Sequence, residues 1–560
     1  MIHVRDVVRL RHIVAVLFEE GLGYYITKAK LQYHLPFHKQ VLPVKPLNDT
    51  QRQAIALRKS FERLGPTFQK LGQLLSLRPD LVPVEYCAEF EKLQDHVPPF
   101  SFEDVKHIIE EDFQKPLRCI FPAFEQKPLA SATIAQVHKA KLISGEIVAV
   151  KVQRPDIKDT IDADLDILFH LAEALEAHFP ELRKYHPLAV VKEFALWTRK
   201  ELDFELEGRN ALRLQEELKE NHQIIVPKIY TTHSSLRVLT MEYIEGIKMD
   251  NLAGLKRDKI NSKKISLLYF TSILQQALLY GFFHADPHPA NIYVTKQGKL
   301  VYFDFGIMGE LPSSDRTKII RFIRSIPERN ADKSIDIIIS LAQDTSQANI
   351  PAFKEETRPI LREVYYNPVQ KRSIGKALYQ VMGIGAKYGI IFNANHVLMA
   401  KAVYQAEGLA MKLNPSFKVS EGLQEFSRQY LHQEYSPQKM LSRVKNILTS
   451  HQDFFIDFPE HIESILQKLE KPRAHEELDH VRIEYLQEEL KHETRRQNIA
   501  LIFAIIVTGS AFFWLVEGET TIMGIPVRLL LGILAGGIFI YAVFMHRENK
   551  QMEGEQWNKS

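Results

Sequence analysis

Asp304 stands thirteen residues after Asn291, and two short apolar runs fill the interval, Ile292 to Thr295 and Leu300 to Phe303, around the turn Lys296-Gln297-Gly298-Lys299. This pattern predicts a hairpin, and a hairpin brings the residues at its two ends together. Asn291 and Asp304 are therefore expected side by side, two hard oxygen donors at one sheet edge. The stretch GFFHADPHPANIYV, Gly281 to Val294, also places Asp286 one tight turn before Asn291, across Pro287-His288-Pro289-Ala290. Any fold of this chain has to accommodate that convergence.

Two such ligands suit Mg²⁺ carrying the phosphates of a nucleotide, and Asp286 is then placed to accept a hydroxyl proton or orient a nucleophile. The spacing Asp-x₄-Asn, followed by Asp304-Phe305-Gly306, is that of kinase catalytic and metal-binding loops. A site of this kind needs a cation for the phosphates on an upstream strand. Val148-Ala149-Val150-Lys151-Val152 supplies one: alternation turns the apolar residues into a small sheet and Lys151 toward the cleft. A buried lysine needs a counter-charge. Glu201-Leu202-Asp203-Phe204-Glu205-Leu206-Glu207 offers four acids in seven residues, one of which is expected to be internal.

Where a glycine-rich loop would precede the lysine strand, the chain instead has Pro128-Leu129-Ala130-Ser131-Ala132-Thr133-Ile134-Ala135-Gln136-Val137-His138. Small residues let a backbone approach phosphates, but alanines restrict φ and stiffen the loop. No arginine precedes Asp286, His288 stands where a protein kinase has lysine, and no Ala-Pro-Glu follows Gly306. An ordinary protein kinase is disfavoured.

The surrounding pattern is α+β. Residues 1–115 read as a helical extension, with apolar positions from Gln51 to Leu77 at helical spacing until Arg78-Pro79. Residues 116–245 read as a lobe with a hairpin, Gln136 to Lys141 and Glu146 to Val152, turned at Ser144-Gly145. A long helix near Leu188 to Glu220 and strands at Ile224 to Tyr230 and Leu236 to Tyr243 complete it. Met241 and Tyr243 on that last strand join Lys151 and the Ala130–His138 loop in the candidate nucleotide-binding set. Residues 246–430 read as a helical lobe around the second hairpin, with a helix at Ile265 to Tyr280, and 431–497 as a charged helical linker. With 72 basic and 69 acidic residues, no net field points to nucleic acid. The two cysteines, Cys87 and Cys119, suggest neither a disulfide framework nor a metal cluster.

Near the C-terminus, Ile499 to Val516 and Leu529 to Met545 carry no charge, and each reaches about 26 to 27 Å as a helix. Residues 498–546 are expected to form a transmembrane hairpin. Arg495 and Arg496 precede it and Arg547 and Lys550 follow, which puts the body of the chain and the tail, 547–560, in the cytoplasm. Gly532 and Gly536 form a GxxxG pair for close helix packing, with a homodimer as one option.

The chain resembles the UbiB/AarF atypical kinase-like family, also called ADCK or ABC1-type, from its N-terminal helices to the terminal hairpin. Lys70-Leu71-Gly72-Gln73 is similar to the family's KxGQ motif, Ala130-Ser131-Ala132-Thr133 to its alanine-rich loop, and Glu201-Leu202-Asp203 to its ExD motif. Ser131 and Thr133 depart from the more usual alanine and serine. The resemblance implies that Glu207 pairs with Lys151, that Asp286 is catalytic, and that Asn291 and Asp304 bind metal. It also implies a two-lobed protein-kinase-like fold whose Lys70 and Gln73, with Glu201 and Asp203, gate the cleft. Such a lid would obstruct a protein substrate. The expectation is an Mg²⁺- and ATP-dependent atypical kinase or ATPase of a bacterial inner membrane, supporting ubiquinone biosynthesis. Membrane lipid, ubiquinone precursors and other quinone-biosynthesis proteins are its expected partners. A small-molecule kinase of the aminoglycoside or choline type, and a non-catalytic scaffold binding nucleotide or lipid, are the alternatives.

Overall fold

The structure, a computed structural model, describes residues 4–31, 33, 49–93, 98–180, 183, 186–366, 373–434, 521–522 and 525–526. Contacts divide the chain into two units, 1–443 and 444–560. In the second unit, Thr521–Ile522 pairs antiparallel with Ile525–Pro526, a reversal inside the segment predicted to connect the two apolar runs. The runs themselves and residues 435–497 of the charged linker lie outside the described residues, while 431–434 end the helix Val419–Glu434, which runs past the lobe boundary expected at 430. Among the described residues no helix is long and apolar enough to cross a membrane.

The first unit is α+β. Its opening helix, Val4–Leu17, buries Leu10, Ile13, Val14 and Val16. Arg9 anchors that helix by donating to Asp164 at 2.7 Å and to the Leu64 carbonyl at 2.7 Å. The apolar run from Gln51 to Leu77 forms two helices rather than one, Thr50–Leu64 and Pro66–Ser76. Gly65 at φ +94° breaks the run, and Pro66 is suited to the first turn of the next helix.

A sheet follows in which Ala135–Lys141 and Ile147–Gln153 pair antiparallel around Gly145, at φ +102°. Val238–Glu242 lies on one side of this hairpin, and Ala123–Phe124 and Ala130–Ser131 on the other. Strand alternation divides the core. Ala140, Val148, Val150, Val152 and Val238 pack against the helix Phe102–Phe113, whereas Ala135, Ala149, Leu239 and Met241 join the larger core of the helical body. Each fully buried valine contributes about 1.5–3 kcal/mol, so a shift of register by one residue would cost several of these at once.

The helix Ile157–His178, which had no counterpart in the sequence reading, buries Ile157, Ile161, Leu165, Leu168 and Ala172 along one face, with Asp164 buried among them. The predicted helix near Leu188 to Glu220 is two helices, Pro187–Glu201 and Phe204–Glu217. Asp203 separates them by capping the second, its Oδ1 accepting from the Leu206 N–H at 2.8 Å. The strand expected over Ile224 to Tyr230 shrinks to Ile224–Ile225, parallel to Leu300–Val301, since Pro227 has no N–H for a ladder.

Farther on, the helix Ser262–Leu274 continues through a wide turn to Gly281, at φ +83°, which delivers the chain into Phe282–His284. The helices Ile374–Lys387 and Ala394–Leu413 then pack behind this region.

Candidate active site

Lys151 leaves the central strand toward Phe204–Glu217, and there Nζ donates to both Glu207 oxygens at 2.8 Å. Glu207 is 3% exposed and Lys151 14%. Asp304 Oδ1 lies 3.7 Å from the same ammonium, and the Phe204 ring 5.1 Å from it. Burial opposes the charge on Lys151, but Asp304 and Glu207 more than offset it, so the ammonium is held above its ordinary range. At Glu207, burial pushes the carboxyl above its usual range against the pull of Lys151.

The second predicted hairpin forms as Ile292–Val294 against Leu300–Tyr302, with Ile292 opposite Tyr302. The Phe303 N–H donates to the Asn291 carbonyl at 2.8 Å, which sets Asn291 and Asp304 at one edge. Asp304 adopts φ +58°, a left-handed conformation that aspartate tolerates, and its Oδ1 accepts from the Gly306 N–H at 3.3 Å. This turns the carboxylate toward Lys151 and leaves it 51% exposed. Loss of water on its protein side pushes it up, but Lys151 and Lys70 more than offset that, and it lies below the ordinary carboxylate range.

Asn291 Nδ2 donates to the backbone carbonyl of Asp286 at 3.2 Å, which turns its amide oxygen the other way. His284 Nε2 lies 3.1 Å from the Phe303 carbonyl, so this nitrogen carries the proton and ties the Asp286 strand to the Asp304 turn. Burial raises the Asp286 carboxyl above its usual range, against opposing contributions from His288 and His284.

Over the cleft, Lys70 on Pro66–Ser76 ion-pairs with Glu201, the last residue of its helix. The Cγ of Glu201 lies 3.8 Å from where a Cβ on Gly306 would sit, so this side chain rests on the Asp304 turn. Gly72 lets this helix pack closely on Leu93 and Phe61, both of which a Cβ there would meet. Gln73 is half-buried in the same helix. Asp203, grouped with Glu201 in the sequence, is occupied as a helix cap and lies 3.6 Å from Arg209.

The residues expected to hold nucleotide divide between the two faces of the sheet. Val137 stands opposite Lys151, and Ala135 and Met241 share that face. Gln136 instead faces the other way, its Oε1 accepting from the Phe100 N–H at 3.2 Å, and His138 packs with Phe102 and Phe124. Tyr243 lies just past its strand, under the Lys139 ammonium at 4.7 Å. Ala130 and Ser131 form a short strand on Val137 and Gln136. The Ala132 N–H then donates to the Ala135 carbonyl at 2.8 Å, and the Ile134 carbonyl accepts from the Arg154 N–H at 2.7 Å, closing the loop over buried Thr133 and Ile134.

Three side chains in the site were not singled out from the sequence. Asn210 Nδ2 donates to the Phe305 carbonyl at 3.0 Å, and the Tyr269 hydroxyl to the Pro287 carbonyl at 2.5 Å. Gln405 reaches Asp286. Asn210 carried a readable signal, being one helical turn after Glu207 on the same face. Tyr269 and Gln405 carried none.

Among the described residues no group of three or more His, Cys, Asp and Glu side chains is arranged to hold a metal alone. Asn291 and Asp304 present side-chain oxygens at one hairpin edge, fewer donors than hold a divalent cation without further ligands. The Ser131 hydroxyl and Glu201 Oε2 are buried without partners among the described residues, polar atoms suited to a further ligand in the cleft.

A family model of the ABC1 atypical kinase-like domain matches residues 92–338, and one of the UbiB helical domain matches 357–418. The probable protein kinase UbiB of Pseudomonas fluorescens is 31% identical over 80% of this chain and 84% of its own length. Protein ACTIVITY OF BC1 COMPLEX KINASE 7, chloroplastic, of Arabidopsis thaliana is 34% identical over 64% of this chain. The uncharacterized protein sll1770 of Synechocystis is 34% identical over 68%. The chain spans about half of the Arabidopsis protein, 52%, and 66% of the Synechocystis one.

Proposed function

Since the chain belongs to the UbiB family of ABC1-type atypical kinase-like proteins, we propose that it is an Mg²⁺- and ATP-dependent atypical kinase or ATPase that supports ubiquinone biosynthesis at a bacterial inner membrane. The observation that carries the reading is the convergence of the Lys151 ammonium, paired to Glu207 at 2.8 Å, with Asp304 at 3.7 Å. A buried cation already neutralised by one acid and facing a second, cleft-exposed acid is what a magnesium-bound triphosphate requires on its two sides.

In this reading, Lys151 orients the α- and β-phosphates, with Glu207 keeping the ammonium in place and charged. Asn291 and Asp304 would hold Mg²⁺, which when bound neutralises the charge that develops on the phosphates. Asp286 accepts the proton of the acceptor, whether water or a substrate hydroxyl, and its raised carboxyl suits it to that task. Glu201 keeps Lys70 over the cleft and limits access by a large substrate. The apolar runs Ile499 to Val516 and Leu529 to Met545 would hold this body beside the bilayer, where a lipophilic acceptor is concentrated.

The test is ATP turnover by the purified full chain, with and without liposomes and quinone-precursor mimics, for wild type and Asp286→Asn. Turnover is expected in wild type and a large loss in the variant. Equal rates in the two would overturn the assignment, and retained quinone synthesis in cells carrying Asp304→Asn would point to a scaffold instead.

A further inference from the structure

The helix Ala394–Leu413 lies within the segment matched to the UbiB helical domain, outside the kinase-like match, yet one of its side chains reaches the candidate catalytic loop. Gln405 Nε2 donates to Asp286 Oδ1 at 3.3 Å, toward the long end of the hydrogen-bond range. Among the described residues no other side chain hydrogen-bonds this carboxylate. Gln405 Oε1 is buried without a partner among the same residues. A buried amide that leaves its oxygen unpaired is being held by its nitrogen, and turning it over would set its oxygen against a carboxyl oxygen.

The helix that carries Gln405 is fixed on both sides of it. One turn earlier, Lys401 is 1% exposed, ion-paired with Glu91 and seated over the rings of Tyr379 at 5.0 Å and Tyr404 at 5.4 Å. Two residues later, buried Glu407 accepts from the Ser373 hydroxyl and from the Gly375 N–H at 3.2 Å. Gly375 brings the neighbouring helix against the backbone itself, since a Cβ there would meet Tyr404 N at 2.5 Å. The position of residue 405 along the helix axis is thus set by contacts that have no part in the cleft.

We infer that Gln405 is a positioning residue for Asp286, and that the helical domain serves as a backing plate aiming the candidate base. With Oδ1 held by the amide, Oδ2 remains for the hydrogen of the incoming water or hydroxyl, in one orientation rather than several. The inference rests on the proposed role of Asp286.

It is tested with the full chain in liposomes by measuring ATP turnover against ATP concentration for wild type, Gln405→Met and Gln405→Glu. Methionine keeps the length and loses the donor; glutamate keeps the shape but sets a second carboxyl against Asp286 in place of the amide donor. Both are expected to lower kcat about tenfold or more, about 1.4 kcal/mol, at unchanged KM for ATP. Gln405→Met is expected to melt with wild type. Wild-type kcat in Gln405→Met, or a loss confined to KM or to melting temperature, overturns the inference. A structure of Gln405→Met supplies a readout apart from turnover: Asp286 is expected to leave its present side-chain orientation, and an unmoved Asp286 overturns the role. Should wild type turn over no more ATP than Asp286→Asn, the proposed function fails, and that structure still decides whether Gln405 holds Asp286.

Discussion

Replacing Lys151 with Met removes the ammonium that faces Glu207 at 2.8 Å and Asp304 at 3.7 Å while keeping most of the side-chain volume. Breaking a buried ion pair by deleting one partner costs about 3–5 kcal/mol, because the remaining charge stays desolvated. Glu207, 3% exposed, bears that cost, whereas the half-exposed carboxylate of Asp304 keeps contact with water, so the lower end, about 3 kcal/mol, is expected at pH 8. Without Lys151 the Glu207 carboxyl rises further above its unfolded value. The folded state then holds more protons than the unfolded one, so stability is fully present below the ordinary carboxylate pKa and is lost as pH rises through the folded value. The deficit of Lys151→Met against wild type should therefore shrink as pH falls from 8 to 5. The double variant Lys151→Met/Glu207→Leu should return to within about 1 kcal/mol of wild type, since no buried charge is left alone. Urea unfolding of the detergent-solubilised full chain, followed by circular dichroism, measures all three, and ATP binding should be lost in both variants. A Lys151→Met protein as stable as wild type at pH 8, or a deficit that grows on acidification, would refute this account of the pair.

Burial lifts Glu407 to about 7, so its contribution is fully present below the ordinary carboxylate pKa and is lost as pH rises toward and through about 7. Glu407→Gln should remove that slope, a difference on the order of 3 kcal/mol between pH 4.5 and 8 from the size of the shift; parallel pH profiles of unfolding for the two proteins would contradict it. Gly375→Ala places a methyl group 2.5 Å from the Tyr404 nitrogen. It should cost about 1–3 kcal/mol as overpacking and, by displacing Gln405, lower kcat more than its effect on ATP affinity; calorimetry and initial rates read the two effects.

The parts of the site that follow from local chemistry were legible in the residues. Gly145 and Gly298 turn short hairpins, strand alternation orients Lys151, and the second hairpin brings Asn291 to Asp304, all within stretches of about twenty residues. The four acids between Glu201 and Glu207 were not separable in this way. Asp203 spends its carboxylate on a helix cap, and the break it makes gives Glu201 to Lys70 and Glu207 to Lys151. That division depends on how two helices pack, and composition is silent about it. The link from Gln405 to Asp286 spans 119 residues and has no periodic or motif signature. It exists because Lys401, Glu407 and Gly375 fix a distant helix behind the candidate catalytic loop, and contacts between remote segments are chosen by packing of the whole core rather than by the residues beside them.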